Sequence, residues 1–168
     1  MGFPYSRGRT SPEKALQKLK HYCGYQERSH QEVKQKLYSL GLMKKEVEEL
    51  ISRLIEEGYL NEERFATLFA SGKLRMKGWG KQKIRFELRQ RGISEFCITK
   101  ALKSIDESEY ISGFNRLAEK KWHSLQSEKN IFVKKNKWQQ YLQQKGFEPV
   151  LIKTWSFPDN PETGPLAD

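Results

Sequence analysis

Ile84-Arg85-Phe86-Glu87-Leu88-Arg89-Gln90-Arg91-Gly92-Ile93 is the stretch on which the fold turns. Ile84 and Leu88 stand one helical turn apart, and Gly92 follows where a left-handed residue can end a helix. Ile93 then returns the chain to the apolar side. The same pattern occurs twice more, as Val33-x3-Leu37-x3-Gly41-Leu42 and as Trp138-x3-Leu142-x3-Gly146-Phe147. The three glycines are 51 and then 54 residues apart. An amphipathic helix precedes each copy and another follows it, so the repeating unit is three helices in about 50 residues. One such match arises easily in a helical protein; three at near-equal spacing mark a tandem repeat. A unit this short has a marginal core, and stacking on a neighbour buries further apolar surface.

Helical spacing continues on both sides. Leu16, Leu19, Tyr22 and Cys23 make one stripe, and Val47, Leu50, Ile51, Leu54 and Ile55 another. Phe65, Leu68 and Phe69 follow, then Ile98, Leu102 and Ile105, then Tyr110, Phe114, Leu117 and Trp122. Alternating β-branched runs and Asn-Gly or Asp-Gly hairpin turns are missing, and no proline lies between Glu13 and Glu148. Start signals agree. Ser11-Pro12 places a cap before a first-turn proline, and Ser29-His30-Gln31-Glu32 reads as a capping box. Asn61 caps a helix that opens on Glu62 and Glu63, at the positive end of its dipole. Gly41, Gly58, Gly92 and Gly146 are the stops. The spacing therefore predicts an all-α fold of about nine helices, in tandem three-helix repeats forming an elongated, curved body. The expected units are 11–58, 59–106 and 107–156, between disordered ends at 1–10 and 157–168. Leu37, Leu88 and Leu142 should be buried at equivalent places.

The chain has 168 residues, a formal net charge of +10, 36% hydrophobic and 31% charged residues. Its mean hydropathy is −0.82. No run approaches the roughly 20 apolar residues that span a bilayer, which argues against a membrane partner. Met1 to Thr10 has no apolar core of a secretory signal. Cys23 and Cys97 are the two cysteines, far apart, so neither a disulfide scaffold nor a cysteine zinc site is expected, and a reducing cytoplasm fits. Charge is unevenly spread. Ser71 to Lys103 carries ten basic residues against Glu87 and Glu95, a net of +8, whereas Lys44 to Arg64 has a net of −3. That asymmetry suits a polyanion on one surface and a protein partner on another.

The leading candidates for contact lie in the basic stretch: Lys73, Arg75, Lys77, Lys81, Lys83, Arg85, Arg89 and Arg91. On one helix Lys81, Arg85 and Arg89 share a face, with Ile84 and Leu88 turned about 100° away toward the core. Such a ridge can track phosphates, with steeply salt-dependent affinity; its bland reading is a solvated helix face. Trp79, between Gly78 and Gly80, either stacks on a base or anchors the loop between two helices. Lys134, Lys135 and Lys137 form a second basic run beside Trp138 and Tyr141, whose spacing places those two rings in the core. Glu62, Glu63 and Arg64 are exposed candidates for a protein contact. His21, His30 and His123 lack the spacing of a metal site, and no phosphate-binding loop is present. Catalysis, metals and cofactors are thus not expected.

Gly58-Tyr59-Leu60-Asn61-Glu62-Glu63-Arg64-Phe65-Ala66 resembles the G-Y-L-[DN]-D/E-x-R/E-F-A signature of the RecX family, modulators of the bacterial RecA recombinase. Glu27 to Leu37 is similar to that family's E/Y-R-S-x-x-E-L-x-x-K-L motif, and Lys77 to Ile93 to its K-G-x-x-x-I-x-x-E-L-x-x-K/R-G-I motif. Tyr141 to Phe147 matches the Y-L-x-x-R/K-G-F close. The resemblance runs in order over about residues 13–155. It departs at Asn61, where aspartate is commoner, and the third repeat is otherwise poorly matched. What it implies is a non-catalytic regulator that binds RecA; an elongated, curved repeat body, expected as a monomer, is of a form to lodge in the groove of the RecA filament on single-stranded DNA and so alter assembly, ATP turnover and strand exchange in recombination and repair. Two other readings remain at this stage. One is a stand-alone DNA-binding module using Lys81, Gln82 and Arg85 for base readout; the other is a helical adaptor for another acidic protein.

Overall fold

A computed structural model of the protein describes residues 8–158. Among them are nine helices and no strand: α1 Pro12–Tyr25, α2 His30–Ser39, α3 Lys44–Glu56, α4 Glu62–Lys77, α5 Lys81–Gln90, α6 Glu95–Lys103, α7 Glu107–Ser124, α8 Ile131–Lys145 and α9 Pro149–Lys153. The all-α, tandem three-helix organisation follows from local signals acting where they stand in the chain. Ser11 accepts the Lys14 N–H at 3.4 Å, and Ser29 accepts that of Glu32 at 3.2 Å. The Glu32 carboxylate accepts the Ser29 N–H in return, at 2.8 Å. Asn61 accepts the Arg64 N–H and Asp106 the Glu109 N–H, both at 2.8 Å. Each of these bonds satisfies one donor that the first helical turn would otherwise leave open.

The repeat leucines occupy equivalent places. Leu37, Leu88 and Leu142 are fully buried, and each carbonyl accepts the N–H of the residue five further on: Leu42 at 3.4 Å, Ile93 at 3.1 Å and Phe147 at 3.2 Å. Between them lie Gly41, Gly92 and Gly146 with φ of 84°, 71° and 92°. This is the left-handed helix stop in which an apolar residue folds back over the last turn. Glycine is required there because a Cβ strains at that φ.

Among the described residues two compact units result, 8–72 with Arg85–Ile105, and Lys73–Ile84 with 106–158. In the first, α1, α2 and α3 enclose Leu19, Val33, Leu37, Val47, Leu54 and Leu60. Ile55 and Leu68, assigned to apolar stripes by spacing, are instead exposed. Leu54 takes the seam with Val47 and Leu50, and Ala66, Ala70 and Leu74 take the seam of α4; the neighbouring positions rotate to solvent. Both cysteines are buried and unpaired. Burial, reinforced by the Glu27 carboxylate, pushes the Cys23 thiol up to about 11. At pH 8 the native protein should therefore show almost no reaction of Cys23 with an aromatic disulfide reagent, and full reaction once unfolded. Rapid labelling of native Cys23 would contradict this placement.

The second unit is built on aromatic rings. Phe147 packs on Phe114 and Tyr110 with ring centres 5.2 and 5.6 Å apart. Trp138 donates its indole N–H to the Ala118 carbonyl at 2.9 Å. Phe157, placed in the tail by its sequence context, lies 4.7 Å from Trp122 and 4.9 Å from Trp138. At the other end Thr10 donates its N–H to the Leu40 carbonyl at 3.1 Å, and Arg9 pairs with Glu46. The rest of the expected disordered ends, 1–7 and 159–168, lies outside the described residues.

Candidate functional site

The loop Gly78–Gly80 joins α4 to α5 and is held by the end of α8. Gly80 donates its N–H to the Lys145 carbonyl at 2.7 Å, Gln82 donates to the Gly146 carbonyl at 3.0 Å, and the Lys145 ammonium donates to the Lys77 carbonyl at 3.1 Å. A Cβ on Gly80 would overlap the Gly146 carbonyl and the Phe147 nitrogen, both backbone groups. Gly80→Ala is accordingly expected to destabilise the second unit by about 1–3 kcal/mol or more, since neither backbone can yield alone. An unchanged thermal midpoint would refute that close approach.

On this loop Trp79 is half-buried, with the Lys83 and Lys73 ammonium groups 4.7 and 5.2 Å from its ring. The arrangement serves as a loop anchor with cations against the indole. A base stacking on the same face has to displace an ammonium.

The ridge cations are placed differently from one another. Lys81 pairs with Glu107 at 2.7 Å and lies 4.4 Å from the Tyr110 ring. Arg85 and Arg89 converge instead on Glu95, Arg85 at 2.9 Å. Arg75 donates from Nε and Nη2 to the two oxygens of Glu109, at 2.7 and 3.1 Å. Arg91 pairs with Glu87 at 2.8 Å, its guanidinium 4.8 Å from the Phe69 ring. The Arg89 guanidinium holds the Glu95 carboxyl below the usual carboxylate range, and Arg75 does the same to Glu109. A depressed carboxylate keeps its pair intact at neutral pH and releases it only as pH falls through the lowered value. Glu107 and Glu109 lie outside the stretch from Ser71 to Lys103, so its local excess is smaller in space than in sequence. Among the described residues Lys77 and Lys103 are exposed and have no carboxylate partner.

The other candidates are also engaged. Glu62 accepts the Ser94 N–H at 2.7 Å, Glu63 pairs with Lys100 at 2.7 Å, and Arg64 pairs with Glu27 and donates to the Gly58 carbonyl at 3.1 Å. Of the second basic run, Lys134 is buried with its ammonium 3.9 Å from the Trp122 ring, Lys135 lies 4.9 Å from Phe157, and Lys137 pairs with Glu128 at 2.8 Å. Tyr110, which sequence spacing marked only as core, donates its hydroxyl to Glu148 at 2.6 Å and accepts the Lys81 N–H at 3.0 Å. Burial and the Glu148 carboxylate push its pKa well above that of an ordinary phenol. Among the described residues no group of His, Cys, Asp and Glu is placed to hold a metal, and no helix is long and apolar enough to cross a membrane.

Reading the sequence for charge missed a cleft of about 310 Å3 in the second unit, lined by the end of α4, the middle of α7 and Phe147. Its one legible signal was Gly113, a glycine inside a helix, where that residue costs about 1 kcal/mol relative to alanine.

The model of the second three-helix domain of RecX matches residues 61–102, and that of the third matches residues 109–155. A regulatory protein RecX from Pelodictyon phaeoclathratiforme is 33% identical over 125 residues, which are 74% of this chain and 76% of that protein. The chain belongs to the RecX family. Another RecX, from Clostridium tetani, is 32% identical over 121 residues, 71% of this chain. The chain spans about half the length of the RecX relatives from Clostridium tetani, Bacillus cytotoxicus and Lactobacillus johnsonii, at 55%, 52% and 50%. The crystal structure of RecX from Lactobacillus salivarius is similar over 85% of this chain and 92% of that one, with a TM-score of 0.76 and 27% identity.

Proposed function

We propose that this RecX-family chain is a non-catalytic regulator in the cytoplasm that binds the RecA recombinase on its filament with single-stranded DNA. Its action is to change filament assembly, ATP turnover and strand exchange in recombination and repair. The observation that carries this reading is the ordered match of two successive three-helix domains to a family of regulatory proteins. Tandem units present contact residues at intervals of about fifty residues, so one chain can engage successive subunits of a polymer. Linked weak contacts then favour the filament over the free monomer through effective concentration. Lys73, Arg75, Lys77, Lys81, Lys83, Arg85, Arg89 and Arg91, with Trp79, are the proposed DNA-facing set; Glu62, Glu63, Arg64, Lys135 and Lys137 are the proposed protein contacts, and the ion-paired members of both sets exchange an internal partner for an external one. The stand-alone helix–turn–helix reading is less well supported, because Lys81 and Arg85 are both held by carboxylates, which leaves Gln82 as the one member of that trio outside an ion pair.

The test is RecA's ATP turnover on single-stranded DNA with increasing amounts of this protein. A saturable change, reached below one chain per RecA subunit, is the expected result. Replacing His21, His30, His123, Cys23 and Cys97 by isosteric residues should leave the change intact wherever the fold survives. No change in turnover, together with no co-sedimentation with filaments, would overturn the proposal.

A further inference from the structure

The cleft in the second unit has two chemically distinct parts. Its apolar surface is offered by the half-buried Leu117 and the exposed Met76, over Leu74 and Phe147, which are buried beneath. Its rim carries Lys77 and Arg116, both exposed and without a carboxylate partner among the described residues. Arg75 stands on the same rim, its guanidinium plane fixed by the two-point bond to Glu109. The wall between them is Gly113 of α7, and a Cβ added there meets nothing within 4 Å. Internal packing therefore does not require the missing side chain, yet the helix bears the cost of a glycine. That absence keeps the cleft open.

We infer that this cleft takes one nucleotide of a single-stranded nucleic acid, its base on the apolar surface and its phosphate at Lys77 and Arg116. This deepens the proposed function and rests on it for the presence of single-stranded DNA. About 310 Å3 is at the lower end of ligand-site volumes, enough for one ring system with its sugar. An extended peptide is a poorer occupant because the backbone here is already used. The Gly78 N–H is donated to the Leu74 carbonyl at 3.0 Å, and the Lys77 carbonyl accepts the Lys145 ammonium. A base needs only a face to lie on, and every base has one. Trp79 follows Gly78 of the cleft lining, so the following nucleotide of a strand reaches the Lys73 and Lys83 ammonium groups over its indole, one of which a stacked base displaces.

The test uses the full chain, a fluorescent thymidine 20-mer, and a 20-mer of the same backbone with abasic sites. Gly113→Leu adds a side chain at the cleft wall, where its Cβ meets nothing within 4 Å, and leucine is the better helix former, so the thermal midpoint should hold or rise. It should weaken binding of the thymidine strand about 10-fold and that of the abasic strand less than about twofold. Arg116→Glu should weaken both strands and make the salt slope shallower by about 0.7. Gly72→Leu, the same change at another helix glycine with open space around it, should alter neither. Thymidine-strand binding by Gly113→Leu within twofold of the parent overturns the inference, as does equal loss for both strands or no binding by the parent chain. An acidic peptide displaced by Gly113→Leu while the oligonucleotide is retained also overturns it, in favour of a protein ligand. If Gly113→Leu fails to fold, Arg116→Glu and Lys77→Glu decide, and unaltered binding by both overturns the site. RecA turnover measured with the same variants separates the two proposals: strand binding abolished with regulation retained upholds the cleft and removes it from the regulatory mechanism.

Discussion

Leu88→Ala is expected to lower the unfolding free energy by about 2–5 kcal/mol, and Leu37→Ala by a similar amount. Both side chains are fully buried, and both sit in the last turn before a left-handed glycine. Truncation removes the transfer energy of the deleted carbons and leaves a cavity that neighbouring helices close only in part. The effect should exceed ordinary core substitutions at these sites for a second reason. The carbonyl of each leucine holds the residue that folds back over the helix end, Ile93 for Leu88 and Leu42 for Leu37, so backbone shift into the cavity loosens that bond too. Leu68→Ala is the control. Leu68 is 54% exposed, and its truncation should stay within about 0.5 kcal/mol. Urea midpoints for the three variants are the measurement. Near-parental midpoints for Leu88→Ala and Leu37→Ala would mean that the repeated leucines are not the centres of their units.

The second large effect concerns binding. Reversal of Lys81, Arg85 and Arg89 to glutamate should weaken association with single-stranded DNA, and with the RecA–DNA filament, by about 10-fold or more at low salt. The slope of log affinity against log salt should become shallower, by about 0.7 for each phosphate of a single strand that the variant no longer neutralises. Stability should change little. Lys81→Glu sets two carboxylates together at Glu107, and the arginine reversals do so at Glu95, but Glu107, Glu95 and Arg89 are more than half exposed and Lys81 and Arg85 partly so, where ion pairs contribute weakly. A single reversal, Glu95→Lys, should act in the opposite direction by releasing Arg85 and Arg89 toward the DNA. Normal regulation of RecA by the triple variant, with an unaltered salt slope, would reduce the ridge to an ion-paired helix surface. The contact would then lie on α3 or on Glu62–Arg64.

Helices, their starts and their stops were determined by the sequence alone, because each signal acts within five residues. The Ser29–Glu32 box, the Asn61 cap and the glycine stops are bonds between chain neighbours, so spacing suffices to write them down. The burial of Leu37, Leu88 and Leu142 followed from periodicity for the same reason. Tertiary structure decided everything that depends on which distant residue comes alongside. Lys81 meets Glu107 and Arg75 meets Glu109, partners 26 and 34 residues away, and no count over a local window includes them. Lys134 is buried against an indole although it belongs to a basic run, since a long side chain can bury its stem and seat its ammonium on a ring. Ile55 and Leu68 show the limit of periodicity itself: a stripe wide enough to admit several residues does not say which edge the neighbouring helix covers. The cleft is the strongest case, because an opening is made by what packing leaves unfilled, and only Gly113 hinted at it in one dimension.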